Sequence, residues 1–380
     1  MSRRPPALNF TGANWPTPTQ VLLLRACLAP DATAITAWRA WQKEVAFDDI
    51  DVATQRLVPL LYHNLTQLGV DDPALGRYRG MHRRSWYTNQ LFFQRAADIL
   101  GLFKSAGIPT LVLKGVPLAH LYYPGVALRQ MSDLDLLVPR ERAGAALGVL
   151  VANGWQGYDA SGHAVDALPR DFSVGHNRDF ENAAGEQVDL HWRALKLSLD
   201  PGAEEALWTG AETFPFAHTD ARTLNATDHL LHVCLHGLPV NDFPALRWVA
   251  DAIMILRRRP IDWDRLIAAT QVHRAATMML HALTYLRDNF AAPVPDEVLG
   301  RIGALPVEGW EYREFSALTR TDRISWWLRK WVYGYLRYRR TLPAAAARPA
   351  ASAYLRYWQL RWDLDHVREL PAAAWRRLRA

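Results

Sequence analysis

The stretch RQMSDLDLLVPRER, residues 129–142, sets Asp133 and Asp135 two positions apart inside an otherwise apolar run. No other feature constrains the fold as much. An alternating strand sends residues i and i+2 to the same face, so both carboxylates project side by side. Like charges held that close repel and raise one another's pKa unless a cation sits between them. The pair therefore raises the question of a metal site.

The neighbouring segments supply a sheet for this strand. IPTLVLKG (108–115) is short and β-rich, and reads as a buried strand running into a turn at Gly115. VPLAHLYYPG follows as a short helix closed by Pro124-Gly125, and LDLLV (134–138) is the second strand. PRERAGAALGVLVANGW starts with Pro139 near its first turn and stops at Gly154, the signals of a helix. DFSVGHNRDFENAAGEQVDLHWRA reads as a hairpin that turns at Asn182–Gly185 and returns as QVDLHW. The order strand, helix, strand, helix, hairpin predicts a small mixed sheet with helices on one side.

Asp189, in QVDLHW, again alternates with apolar residues, so one sheet face can gather Asp133, Asp135 and Asp189. His191 lies two residues on, on the Asp189 face, where a carboxylate hydrogen bond and an acceptor contact are both open to it. Three carboxylates on one face are costly without a divalent metal, and Mg2+ prefers carboxylate oxygen plus a substrate phosphate. Two-metal phosphoryl or nucleotidyl transfer uses such a triad: one ion activates the attacking oxygen, the other stabilises the leaving pyrophosphate.

Helical segments flank this core. Residues 17 to about 106 carry apolar residues at helical spacing, with Asp31 as an N-cap and Gly69 and Gly107 as stops. From about 223 to 340 the pattern is helical again, in NATDHLLHVCLHGL, PALRWVADAIMILRRR and DWDRLIAATQVHRAATMMLHALTYLRDNF. LPAAAARPAAS (342–352) reads as a linker before a last basic, Trp-bearing helix. The expected organisation is a helical region over 1–104, an α/β core over 105–200, a helical domain over 201–341, and a linker with a basic aromatic helix over 342–380.

Length and composition bound the class. With 380 residues, half of them apolar, the chain can build two or three cores. No apolar run reaches the roughly 18 residues of a membrane span, and no signal-peptide core follows the first residues. Two cysteines, Cys27 and Cys234, exclude a disulfide framework and a four-cysteine zinc site, and fit a cytoplasmic location. The net charge of +6 is uneven: residues 321–380 hold 13 Lys/Arg against 4 Asp/Glu, which leaves −3 for the rest. An anionic partner, if one binds, is expected at the C-terminus.

LVLKGVPLAHLYYP, LRQMSDLDLLV, NGW, VDLHW, HLLHVCLHG and LRWVADAIMIL together make the chain resemble the nucleotidyltransferase superfamily of the DNA polymerase β type, and more closely its poorly characterised bacterial branch. The resemblance covers roughly residues 95–260. It implies an α+β fold, with a small mixed β-sheet nucleotidyltransferase core between N-terminal and C-terminal helical regions. It also implies a nucleotidyl transferase that uses Mg2+, with Mn2+ as a substitute, and moves a nucleoside monophosphate from an NTP to an unidentified acceptor. Gly115 then marks the triphosphate-holding turn, Asp133 and Asp135 the metal pair, and Asp189 the third carboxylate. The superfamily's usual Gly-Ser turn is Lys114-Gly115 here, so Lys114 is assigned to a phosphate as a point charge and Arg129 to another phosphate oxygen.

Other readings compete at specific residues. A nucleotide-binding scaffold without activity would keep the pocket, although intact Asp133, Asp135 and Asp189 argue against decay. His229, His232 and His236 share one helix face, and His232 and His236 have the i, i+4 spacing of a helical zinc pair, which makes a histidine-based zinc protein the third reading. No Glu lies between them, and core histidines are the simpler account; His236 is otherwise a candidate for the acceptor site. Arg247 and Asp251 read as an intrahelical pair. SWWLRKWVYGYLRYRR reads as a packed helix with buried Trp and solvent-facing arginines, or else as a surface for bases, phosphates or an anionic membrane.

Overall fold

The computed structural model describes residues 15–159, 164–165, 172, 174–196, 201–238, 246–319, 326–340, 351–362 and 364–379. Helices α1 (Pro18–Leu28), α2 (Ala32–Glu44), α3 (Val52–Gln55), α4 (Val58–Gln67) and α5 (Leu75–Ser105) come first. Strand β1 (Leu111–Val112), helix α6 (Gly115–Leu121), strand β2 (Asp133–Leu137) and helix α7 (Ala143–Ala152) follow. Then come β3 (Trp155–Tyr158), β4 (Ala164–Val165), β5 (Asn177–Asn182), β6 (Gln187–His191), α8 (Pro201–Thr209), β7 (Glu212–Phe216) and β8 (Thr219–Thr223). The remainder is α9 (Ala226–Gly237), α10 (Arg247–Arg258), α11 (Trp263–Val272), α12 (Ala276–Phe290), α13 (Asp296–Gly303), α14 (Gly309–Thr319), α15 (Trp326–Arg340), α16 (Ala351–Arg361) and α17 (Leu370–Arg379). The fold is α+β. No helix among the described residues is long and apolar enough to cross a membrane.

The chain forms two compact units, each drawn from separated stretches: 1–95, 114–131 and 224–323 in one, and 96–113, 132–223 and 324–380 in the other. The first unit is helical. Asp31 caps α2 by accepting from Thr33 N–H, and Gly69 closes the turn after α4 at φ 71°. Helix α1 packs on α2 and α4 with Leu23, Leu24, Trp38, Leu60, Leu61 and Leu65 of those helices fully buried, and α9 packs on α10. The run DWDRLIAATQVHRAATMMLHALTYLRDNF divides into α11 and α12, with Arg274 at φ 48° between them. No glycine or proline marks that break, so periodicity alone runs through it.

Asp251 and Arg247 on α10 have different partners from those their spacing suggests. Asp251 accepts from Arg129 through Nε (2.8 Å) and Nη2 (2.9 Å), and from the Tyr123 hydroxyl (2.7 Å). Arg247 donates to the Gln130 carbonyl at 2.9 Å. Burial, and after it the Asp251 charge, pushes the Tyr123 phenol far above its ordinary range, so it stays a donor. Ser85 and Asn89 of α5 donate to the carbonyls of Ala127, Val126 and Arg129. Four carbonyls of the short 126–130 segment thus accept from side chains.

The second unit is built on one eight-stranded sheet, in the order β4-β3-β5-β6-β2-β1-β8-β7. The β2–β6 and β1–β8 pairs are parallel, and the others antiparallel. Leu134, Leu136, Phe180, Val188 and Leu190 bury one face of its central strands. The anticipated hairpin is present, with Gly185 at φ 75° in the β5–β6 turn. The predicted 108–115 strand shrinks to Leu111–Val112, extended by a bond from Leu113 N–H to the Asp135 carbonyl (2.9 Å).

The sheet is larger than the sequence suggests, by β3, β4, β7 and β8. Pro215 lies inside β7, and a proline demotes a strand because it donates nothing to the ladder. Here β7 is the sheet edge, where that donor is dispensable. The β7–β8 turn carries Ala217 at φ 51° in place of the expected glycine.

At the C-terminus, Tyr338, Tyr357, Trp358 and Leu370 form a buried cluster with Val174. The arginines of α15 do not all face water as expected: Arg337 and Arg340 are buried, and Arg337 donates to the Lys196 carbonyl. Most of the expected linker lies outside the described residues, as does the start of SWWLRKWVYGYLRYRR.

Two outcomes follow from the first unit's packing. Asp251→Asn removes the carboxylate charge paired with buried Arg129 and is expected to lower unfolding stability by about 3–5 kcal/mol, read by chemical denaturation. Arg129→Met with Asp251→Leu should recover most of that loss. A Cβ on Gly237 of α9 would sit 2.2 Å from Trp248 Cβ on α10, so Gly237→Ala is expected at or above the upper end of the roughly 1–3 kcal/mol of an overpacked core, read in the same way.

Candidate active site

The second unit's sheet assembles the candidate site by register. In the parallel β2–β6 ladder, Asp135 lies opposite Asp189, Asp133 opposite Gln187, and Leu137 opposite His191. Opposed residues share a sheet face, so Asp133, Asp135, Asp189 and His191 all project from the same side. The antiparallel β5–β6 ladder adds Asp179 beside Asp189. Asp179 is exposed and accepts from Asn177 Nδ2 at 2.7 Å. Sequence reading did not single out Asp179, although counting outward from the 182–185 turn pairs it with Asp189.

Within this row, one donor atom each from Asp135, Asp189 and His191 lie within 4.8 Å of one another. The His191 Nε2 is 3.1 Å from Asp135 Oδ1 and 3.9 Å from Asp189 Oδ2. The Asp135 and His191 side chains are almost wholly buried, whereas that of Asp189 is 25% exposed. Two carboxylates and an imidazole nitrogen this close fit a divalent cation, because like charges in a partly desolvated row need a counter-charge between them. Nearby, the ring of His176 stands edge-on to His191 at 5.9 Å. Burial first, then the positive charges of Lys196 and Arg337, hold His176 well below the ordinary imidazole range, so it is neutral.

The other predicted residues fall as follows. Asp133 is partly exposed at the start of β2, accepts from Ser132 Oγ at 3.1 Å, and lies outside the 4.8 Å group. Lys114 follows Leu113, whose N–H bonds the Asp135 carbonyl, and takes φ 48°, in the left-handed region that a bulky side chain enters only under constraint. In the first unit, a Cβ on Gly115 would sit 3.1 Å from Met131 Sδ and 3.5 Å from Arg129 Nη1. Arg129 is buried with Nε and Nη2 on Asp251, and its Nη1 lies on the Gly115 side.

The α9 histidines have other surroundings. His236 stacks on His232 at 5.8 Å between ring centroids, and His229 stands edge-on to Tyr122 at 5.5 Å. Burial pushes His229 down to about 3, so it is neutral. Among the described residues, none of the three belongs to a group of at least three potential metal-binding side chains, and the zinc reading gains no third ligand.

No curated protein matches the chain at a significant level. A family model described as an uncharacterised nucleotidyltransferase matches residues 52–291, more than half of the chain and wider than the 95–260 of the motif resemblance. The match takes in the strands bearing Asp133, Asp135, Asp189 and His191, together with helices on both sides of them in sequence. The chain belongs to this family of uncharacterised nucleotidyltransferases, and its activity is the transfer of nucleotidyl groups.

Proposed function

We propose that the enzyme moves a nucleoside monophosphate from an NTP to an acceptor hydroxyl or phosphate and releases pyrophosphate, with a divalent ion, Mg2+ or Mn2+, held by Asp135 and Asp189 and with Asp133 as a further ligand. The observation that carries this reading is the approach of the Asp135 and Asp189 donor atoms to within 4.8 Å of one another on one face of a central sheet, inside a nucleotidyltransferase-family chain. When bound, such an ion stabilises the negative charge that builds on the transferring phosphate.

Burial divides the tasks among the side chains. Asp135 is almost wholly buried and held by ladders on both sides, which suits a rigid ligand. Asp189 reaches solvent, so it is the carboxylate proposed to take the acceptor's proton. Asp133, nearer solvent at the strand's start, suits a ligand position shared with the triphosphate. Lys114, Gly115 and Arg129 are assigned to the triphosphate on their sequence motif.

Incubation with each α-labelled NTP and a cell extract is expected to label one class of product, and chelation of divalent ions should stop it. Asp135→Asn and Asp189→Asn should each cut labelling at least about a hundredfold, since several kcal/mol of charge stabilisation depend on them. Their circular dichroism and melting should remain near those of the parent. Near-normal labelling by Asp135→Asn would remove the assignment.

A further inference from the structure

We propose that His191 is itself a metal ligand, and that its nitrogen makes the site prefer a first-row transition-metal dication, Mn2+ in the first instance, over Mg2+. The inference rests on the metal site proposed above and deepens it. Its geometry belongs to one strand pair: two residues past Asp189 on β6, His191 returns to the carboxylate face. There its Nε2 stands 3.1 Å from one carboxylate oxygen and 3.9 Å from the other. A histidine serving only to orient Asp135 needs to meet one carboxylate from outside the pair. This nitrogen instead completes a three-atom group whose members all lie within 4.8 Å, a spacing one ion can bridge.

Burial strengthens the argument. The His191 side chain is 4% exposed and is carried by a ladder strand rather than a loop, so its position is set before any ion arrives. Donor chemistry then decides the metal. Mg2+ takes oxygen ligands in near-ideal octahedra, keeps several waters, and gains little from imidazole. First-row transition dications accept nitrogen, and their affinity for a mixed nitrogen and oxygen set rises along the Irving–Williams order. Mn2+ keeps the carboxylate and phosphate chemistry of Mg2+ while tolerating the imidazole, so it suits both this donor set and a nucleotide substrate.

The test uses the full chain stripped of metal and titrated with Mn2+, with bound ion read by electron paramagnetic resonance and Mg2+ added as competitor. The expected result is Mn2+ affinity at least about tenfold above that for Mg2+, with nitrogen-14 modulation in the pulsed spectrum of the wild-type protein. His191→Gln should abolish the modulation and erase the Mn2+ advantage while leaving Mg2+ binding in place. His176→Asn should keep both, which identifies the source of the nitrogen. Binding that is lost in Asp135→Asn but shows no nitrogen modulation in the wild type would overturn the role of His191 and leave the carboxylate site standing. Wild-type binding that Asp135→Asn and Asp189→Asn leave unchanged, or no Mn2+ binding at all, would overturn the site itself. The wild-type spectrum requires no variant, so a folding defect cannot conceal the answer.

Discussion

The parallel ladder between β2 and β6 sets Asp135 directly opposite Asp189, and the electrostatics of the candidate site follow from that pairing. Two unit charges about 4 Å apart at an effective dielectric constant of about 20 repel by about 4 kcal/mol. The other face of the same strands buries Leu134, Leu136, Val188 and Leu190, each contributing about 1.5–3 kcal/mol. Burial therefore outweighs the repulsion. It also fixes the register, because a slip of one residue would turn the leucines to the polar face and the aspartates into the core. The apolar face holds the carboxylates together, and a cation bound there would relieve the repulsion that this creates.

The legibility of this arrangement in the sequence depends on range. Alternation in DLDLL and QVDLH is local, so the shared face of Asp133 with Asp135, and of Asp189 with His191, can be read directly. The β5–β6 register is legible too, because Gly185 and the short turn fix it. The β2–β6 pairing is not. It joins parallel strands separated by a helix and three other strands, and no turn geometry encodes it. The same limit hid Arg129–Asp251, since an i, i+4 neighbour on a helix is the nearer candidate for Asp251. Strand β7 escaped for a different reason: Pro215 is compatible with a strand only at an edge, and edge position is a property of the finished sheet.

The first unit shows how a segment with little secondary structure is held. Residues 126–130 receive donors from Ser85 and Asn89 on α5 and from Arg247 on α10, while Arg129 itself is clamped by Asp251. A buried ion pair is weak evidence for net stability, since desolvation offsets much of its attraction. What this one supplies is geometry. Two parallel N–H to oxygen bonds fix the plane of the guanidinium, and Tyr123 fixes one of the accepting oxygens. The guanidinium so fixed borders Gly115, where a Cβ would sit 3.5 Å from Nη1.

The unequal burial within the metal-fitting group carries the argument a step further. A site made only of buried donors would hold an ion tightly but leave the reacting groups no way in, and one made only of exposed donors would lose its shape without the ion. Here Asp135 and His191 are buried and laddered, Asp189 is partly exposed, and Asp133 and Asp179 stand nearer solvent at either side of the row. The gradient runs across neighbouring positions of three strands, so it is a consequence of sheet geometry and needs no separate loop to create it. In the proposed reaction the rigid donors would hold an ion before substrate arrives, and the accessible carboxylates would meet the triphosphate and the departing proton. A substitution that exchanged these burial states while keeping every carboxylate would keep the charge of the site and lose that order.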